Sequence, residues 1–405
     1  MRVSSNTLFD SNVSALNQQQ ARLLQTQQQI SSGRKILAAS DDPVAAARAL
    51  DISQADATNT QYASNRSAAR HTLSLAESTL QSVTSLIQDA KTATISAGNG
   101  ALSNSDRQTI ATELSGRLQE LMGLANSTDG AGNYLFSGFQ SRTQPFVDTP
   151  AGVGYFGDDG QRLIQVGATR QMASGNSGSD VFMRIKEGNG TFVTQAAIAN
   201  TGSGVASLGN VIDSALLTGH NYQIDFTVAA GVTTYSVTDN STLPAPTVLS
   251  AGNSYVSGQA VSFDGLQFDI QGMPADGDRF IVSPSANESV FKTISDLIAA
   301  LNTPLASGGG TAQLTGSLNR GLKHLDNALD NVLTVRSSLG LRLNEIDALQ
   351  ATGEDLGLQY KQTLSQLQDV DYNKALSDLA QQQMYLQAAQ QTFAKVSGLS
   401  LFDYL

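Results

Sequence analysis

The chain contains no cysteine and no tryptophan among its 405 residues, and only three histidines and eight prolines. Without cysteine it can form no disulfide, no thiol nucleophile and no cysteine-ligated metal site. His71, His220 and His324 are far apart in sequence, so none has a second imidazole within a helical turn to share a metal. Charge is scarce too. Asp, Glu, Lys and Arg make up 15% of the chain, against ~25% in an ordinary soluble domain. The charges sum to -11, which argues against the basic face that nucleic-acid phosphates require. No stretch approaches the ~18 apolar residues of a membrane span. No apolar run follows Met1-Arg2-Val3-Ser4-Ser5-Asn6, so a conventional cleaved signal peptide is not expected.

Motifs of chemistry are equally sparse. Gly152-Val153-Gly154-Tyr155-Phe156-Gly157 matches a dinucleotide fingerprint, but Pro150 precedes it and Asp158-Asp159-Gly160 follows. That context is a β turn, whereas the fingerprint needs a strand before it and a helix after it. Asp158, Asp159, Asp276 and Asp278 lack the ligand spacing of a calcium loop, and are expected to cap turns. No catalytic residues, no cofactor site and no metal site are expected, and the chain is not expected to be an enzyme.

What the sequence does contain is organised by its prolines. All eight fall at 43 or between 145 and 304. Proline breaks helix interiors, so both flanks are free to form long helices and the middle is not. In the N-terminal flank Leu16, Leu23, Ile30 and Leu37 recur every seven residues, one apolar stripe on a helix. Glutamines fill much of the rest. Near the other end Leu379, Leu386, Phe393 and Leu399 form a second thin stripe, again among glutamines. Such helices are marginal alone, because helical stability comes mostly from packing. They can pair within one chain or offer an assembly surface to other chains, and these eight residues are the expected assembly interface.

Between the stripes, Asp42 and Pro43 are placed to cap and begin a long helix. Leu73, Ala76, Leu80, Val83, Ile87 and Ala90 give it a face, and Gly98-Asn99-Gly100 ends it. Leu322, Leu325, Leu329, Val332, Leu339, Leu343 and Ile346 mark another long helix, interrupted by Arg336, and Asp369-Val370-Asp371-Tyr372 starts the last one. The middle alternates, as at Tyr222, Ile224, Phe226 and Val228. Asp264-Gly265 between alternating runs predicts a hairpin, and Asp159-Gly160 suggests a second. The expected fold is mainly α with an inserted all-β domain, the two chain ends forming a long-helix coiled-coil bundle. The expected segments are 1–42 and 367–405 as an inner coiled-coil domain, 43–145 and 287–366 as a helical rod, and 146–286 as an outward-facing β insert.

The flanks resemble the flagellin superfamily. The resemblance rests on Ile30-Ser31-Ser32-Gly33-Arg34-Lys35-Ile36 with Ser40-Asp41-Asp42-Pro43-Val44-Ala45, on Gly132-Asn133-Tyr134-Leu135-Phe136-Ser137-Gly138, and on Asp369-Val370-Asp371-Tyr372, Ala388-Ala389-Gln390 and Ser397-Gly398-Leu399-Ser400-Leu401-Phe402. Pro43 and the alanine run are closer to the hook-associated protein 3 branch, the hook–filament junction family, than to filament flagellins. The resemblance covers roughly 1–145 and 287–405. It implies a flagellin-like architecture and a structural subunit of the extracellular bacterial flagellum, exported unfolded without a cleaved signal. It also implies partners: hook-associated protein 1, flagellin, further copies in a ring, the export apparatus and an export chaperone, with no nucleic acid and no membrane insertion. A filament flagellin is the alternative within the superfamily. An enzyme or glycan-binding module in the insert is the alternative outside it.

Overall fold

The computed structural model of the protein describes residues 5–305 and 309–398. Its helices are α1 (Ser5–Ser32), α2 (Pro43–Ala97), α3 (Asn104–Ala125), α4 (Val290–Asn302), α5 (Gly309–Gln368) and α6 (Tyr372–Gly398). No helix among the described residues is long and apolar enough to cross a membrane. Chain contacts define two units. A terminal unit takes in Met1–Arg66 and Asp347–Leu405, and a central unit takes in Ser67–Ile346.

The central unit owns nearly all of the buried apolar side chains. There α2 buries Ala69, Leu73, Ala76, Leu80, Val83, Ile87 and Ala90, alternating steps of four and three as a core-facing stripe requires. Along α5, Leu318, Leu325, Val332, Leu339 and Ile346 are buried every seven residues. Arg336, which interrupts that stripe, is held by Glu77 Oε1 at 3.0 and 2.8 Å and by Thr84 Oγ1 at 3.3 Å, both on α2. Ser103 caps α3 and Asp106 returns the bond, a capping box that satisfies two otherwise orphaned N–H groups. Asn126 ends the helix.

Between α3 and α4 lie the strands. Two hairpins come first: β1 (Phe146–Thr149) with β2 (Gly152–Tyr155), and β3 (Leu163–Gly167) with β4 (Arg170–Ala173). A π-helical turn, Ser179–Met183, follows. An aromatic cluster fixes this segment to α4. Phe146 lies 5.4 Å from Phe182 at 85° and 5.1 Å from Phe291, and Phe182 also meets Phe136 edge-on. Edge-to-face rings add to their burial because positive edges meet negative faces.

A two-sheet sandwich follows. Its first sheet is antiparallel, in the order β11 (Thr247–Ser254), β10 (Val232–Asp239), β9 (Tyr222–Ala229), β14 (Arg279–Pro284), β6 (Phe192–Ala196). In the second, β12 (Ala260–Phe263) pairs β13 (Leu266–Gln271), which also pairs the short β7 (Val205–Ala206) and β8 (Asn210–Val211). Inward residues of both sheets, among them Tyr222, Ile224, Phe226, Phe268 and Phe280, form one core. The Asp264-Gly265 turn has positive φ at both positions, 44° and 77°, as a two-residue hairpin demands. The two remaining strands, β5 (Ile185–Lys186) and β15 (Asn287–Glu288), pair antiparallel where the chain enters and leaves the sandwich.

Asp159-Gly160 is not a hairpin turn. β2 ends at Tyr155, and β3 pairs with β4, not with β2. The neighbouring Asp158 takes over the local backbone instead. Its carboxylate accepts N–H groups of Phe139, Gln140 and Gly160 at 2.9, 3.2 and 2.8 Å. These bonds, Phe139's foremost, hold its carboxyl below the ordinary Asp range. Asp278 does the same within the sandwich, accepting from Thr201, Gly202 and Ala275. The expectation of turn-capping aspartates describes both residues.

Candidate assembly surface

In the terminal unit α1 and α6 pair antiparallel. Phe9 near one end packs 5.3 Å from Phe393, and Leu16 shares a groove with Ala389 and Phe393. At the other end the backbones meet. Lys35 N–H donates to Gln368 O at 2.6 Å, Val370 N–H donates to Gly33 O at 2.9 Å, and Arg34 bridges Asp369. This clasp needs Gly33. Its φ is +71°, and a Cβ there would lie 3.1 Å from Tyr372 Oη. The connecting turn is held by Asp41, which accepts N–H groups of Leu37 and Ala38 at 3.0 Å each. Asp42 caps α2 through Ala45 N–H at 2.9 Å, ahead of Pro43, and Asp371 caps α6 through Asn373 and Lys374.

The predicted stripe residues follow this pairing. Leu16, Leu23 and Ile30 on α1 and Leu379, Leu386 and Phe393 on α6 are all half-buried, while Leu37 lies in the turn and stays exposed. Leu399 falls outside the described residues, as do Leu401 and Phe402. None of the six half-buried residues is fully covered. Among the described residues of this unit, the fully buried apolar side chains are Ala49 and Ala375 alone. Thr26 and Arg66 are the buried polar ones.

The same helices carry apolar residues that no stripe predicted. Leu24 is 56% exposed, Leu376 52% and Met384 60%, with Tyr385 also open, as is Leu50 on α2. A seven-residue period finds one face of a helix. These residues lie off that period, and the only signal for them was an apolar residue where a polar one would be solvated more cheaply. Leu356 and Leu358, on the part of α5 in this unit, are exposed as well.

The histidines take no part in this surface. His71 is exposed, His220 Nδ1 lies 2.7 Å from Asp239 Oδ2 within the sandwich, and His324 sits on α5 of the central unit. Gly152 to Gly157 form part of the β1–β2 hairpin and the loop after it.

Comparison with known proteins agrees with this layout. Residues 3–141 match the bacterial flagellin N-terminal helical region, and residues 322–405 match the bacterial flagellin C-terminal helical region. The helical ends around a β insert therefore define a flagellin-like protein. Residues 196–284, nearly the whole sandwich, match the D2-like domain of flagellar hook-associated protein 1. Flagellar hook-associated protein 3 of Salmonella typhimurium is 32% identical over 100% of this chain and 99% of its own length. The chain belongs to the flagellar hook-associated protein 3 family. The flagellar junction protein FlgL of Legionella pneumophila superposes with a TM-score of 0.71 at 33% identity, covering 80% of this chain and 100% of that one. FlgL of Xanthomonas campestris gives 0.72 at 30% identity, covering 78% and 99%.

Proposed function

We propose that this chain is a non-enzymatic structural subunit of the bacterial flagellum that adapts hook-associated protein 1 to the flagellin filament, working as a ring of identical copies. The observation that carries this reading is the uneven burial. Among its described residues the terminal unit has helices but almost no core of its own, so its thin stripe and outer apolar residues need neighbours to cover them. Covering them couples the ordering of α1 and α6 to assembly, since helices too poor in burial to persist alone gain it from partners. The half-buried stripe supplies the intramolecular part, and Leu24, Leu376, Met384 and Tyr385 supply contact area outward. A chain that orders only on assembly suits export in unfolded form through the flagellar apparatus, aided by a chaperone, and the lack of cysteine keeps it from cross-linking on the way. The family membership and the hook-associated-protein match of the insert support the position at the junction.

Immunogold electron microscopy with antibody raised against residues 146–286 tests the position. A single band of gold where hook meets filament is the expected result. Label along the whole filament would make the chain a flagellin. Label on the cell body alone would remove both readings and turn attention to the insert.

A further inference from the structure

The sandwich meets the helices through a thin joint. The chain enters by β5 and leaves by β15, two residues each, and the two pair antiparallel. Glu187 N–H donates to Ala286 O at 3.1 Å, and Ser285 Oγ donates to Glu187 O at 2.8 Å, tying the crossings together. Helices hold this joint from both sides. Asn327 on α5 donates to Lys186 O at 2.7 Å and Gly188 O at 2.9 Å, and Thr293 on α4 donates to Glu288 Oε1 at 3.0 Å. One turn further along α5, Asn331 grips the π-helical turn in the same manner, donating to Asp180 O and Val181 O at 2.9 Å each.

Beyond the joint a single helix side chain bonds to the sandwich. Gln313 Nε2 donates to Ile198 O at 2.8 Å and to Asn200 O at 3.0 Å. Among the described residues these are the only hydrogen bonds between the helices and residues 192–284. Gln313, Asn327 and Asn331 share one face of α5, because they are close to four turns and then one turn apart by the ~3.6-residue repeat. Asn200 passes the grip into the sheet. Its Nδ2 donates to Arg279 O and its Oδ1 accepts from Arg279 N–H, both at 2.8 Å, where β14 begins. Gln313 therefore holds the frame of the sandwich and not a slack loop.

Between the joint and Gln313 the sandwich stands off the helices. A cavity of about 460 Å³ lies there, lined by Glu187, Val193 and Gln195 on one side and by Leu297, Ser317 and His324 among the helix residues on the other. Its α5 wall falls between Gln313 and Asn327. His324 Nε2 is buried without a hydrogen-bond partner, which marks two faces that do not close on one another. The core of the sandwich is drawn from its own strands, Phe192 to Val282. Turning the sandwich against the helices leaves that core intact and uncovers one apolar side chain of β6, Val193.

We propose that the sandwich is a jointed arm with a catch. β5 and β15 are the joint, the cavity is the clearance, and Gln313 is the catch that holds the arm in one orientation. Releasing Gln313 lets the sandwich turn about the joint while the sandwich and the helices stay folded. Asn327 and Asn331 do a different job, since they act before the sandwich begins and fix the base of the joint. Two side-chain hydrogen bonds to carbonyls favour the caught arm by about tenfold to a hundredfold, each being worth several-fold in an equilibrium. That is enough for one dominant orientation, and small enough for contact with a neighbouring surface to reverse.

The chain has no cysteine, so a pair can be introduced and spin-labelled without competition. Thr227→Cys on β9 or Ala260→Cys on β12, each combined with Thr109→Cys on α3, labels exposed positions on either sheet and on the helices. Double electron–electron resonance on the full chain then reads the distance between them. One dominant distance is expected before the catch is cut. Gln313→Ala should add a second, shifted distance in at least one pair and raise its share about tenfold or more, two bonds being lost. Asn319→Ala, at an exposed α5 position with no bond to the sandwich, should change nothing. Amide exchange in β9 and α3 should stay level in all variants, because the arm turns without melting. Distances in Gln313→Ala that match the parent in both pairs overturn the proposal. So does a parent already spread over many distances, and so does a change in Gln313→Ala that Asn319→Ala reproduces or that comes with faster exchange in β9.

Discussion

α2 and α5 each pass through both units, and each changes character on the way. In the central unit α2 buries a residue at nearly every stripe position from Ala69 to Ala97. Between Pro43 and Arg66, in the same helix, Ala49 is the single buried apolar side chain. α5 repeats the contrast, with a buried heptad from Leu318 to Ile346 and no buried apolar side chain from Asp347 to its end. Sequence local to a helix sets whether it is helical. What is packed on it sets whether it is stable, and the two properties separate within a single helix here. The central unit carries a buried core of its own, and the described residues of the terminal unit bury almost none.

The largest test of that contrast is Leu386→Asp. A charge placed in a stripe that neighbours must dry costs several kcal/mol on assembly, so incorporation into flagella should be lost altogether. The central unit's thermal unfolding, followed by circular dichroism, should be unchanged. Filaments attached normally by this variant would contradict the division. Next in size is Leu80→Ala. Leu80 is fully buried, and truncating such a residue costs about 2–5 kcal/mol, visible in urea unfolding of the free chain. The matched truncation Leu386→Ala, at a half-buried site, should cost the free chain under about 1 kcal/mol. Equal losses from the two would erase the distinction. The smallest effect sharpens the comparison at the clasp. Gly33→Ala forces a side chain into left-handed backbone at about 1–2 kcal/mol and crowds Tyr372. It should speed amide exchange at Lys35 and Val370 and leave the buried heptad of α5 as protected as before.

Much of this was legible in the sequence, for identifiable reasons. Helices and insert followed from proline placement, since Pro43 opens α2, Pro304 lies between α4 and α5, and the rest fall among the strands. Asp42, Asp371 and Asp264-Gly265 announced two caps and a turn through local chemistry that needs no distant partner. The stripes from Leu16 and Leu379 announced a face on each terminal helix, but a period names a face and not what covers it. That is why the outer apolar residues Leu24, Leu376 and Met384 went unforeseen. Asp159-Gly160 misled because Asp158, one residue earlier, had captured the backbone.

The clasp at Gly33 and Val370 has a consequence for time as well as shape. Its two sides lie at Gly33 to Lys35 and at Gln368 to Val370, so closing it confines the entire chain between them. That loop costs ~5 kcal/mol of closure entropy by polymer scaling, set against three or so backbone contacts. Contacts so distant along the chain form late in folding. The pairing therefore closes only after the helices on either side of it have formed from their own local contacts.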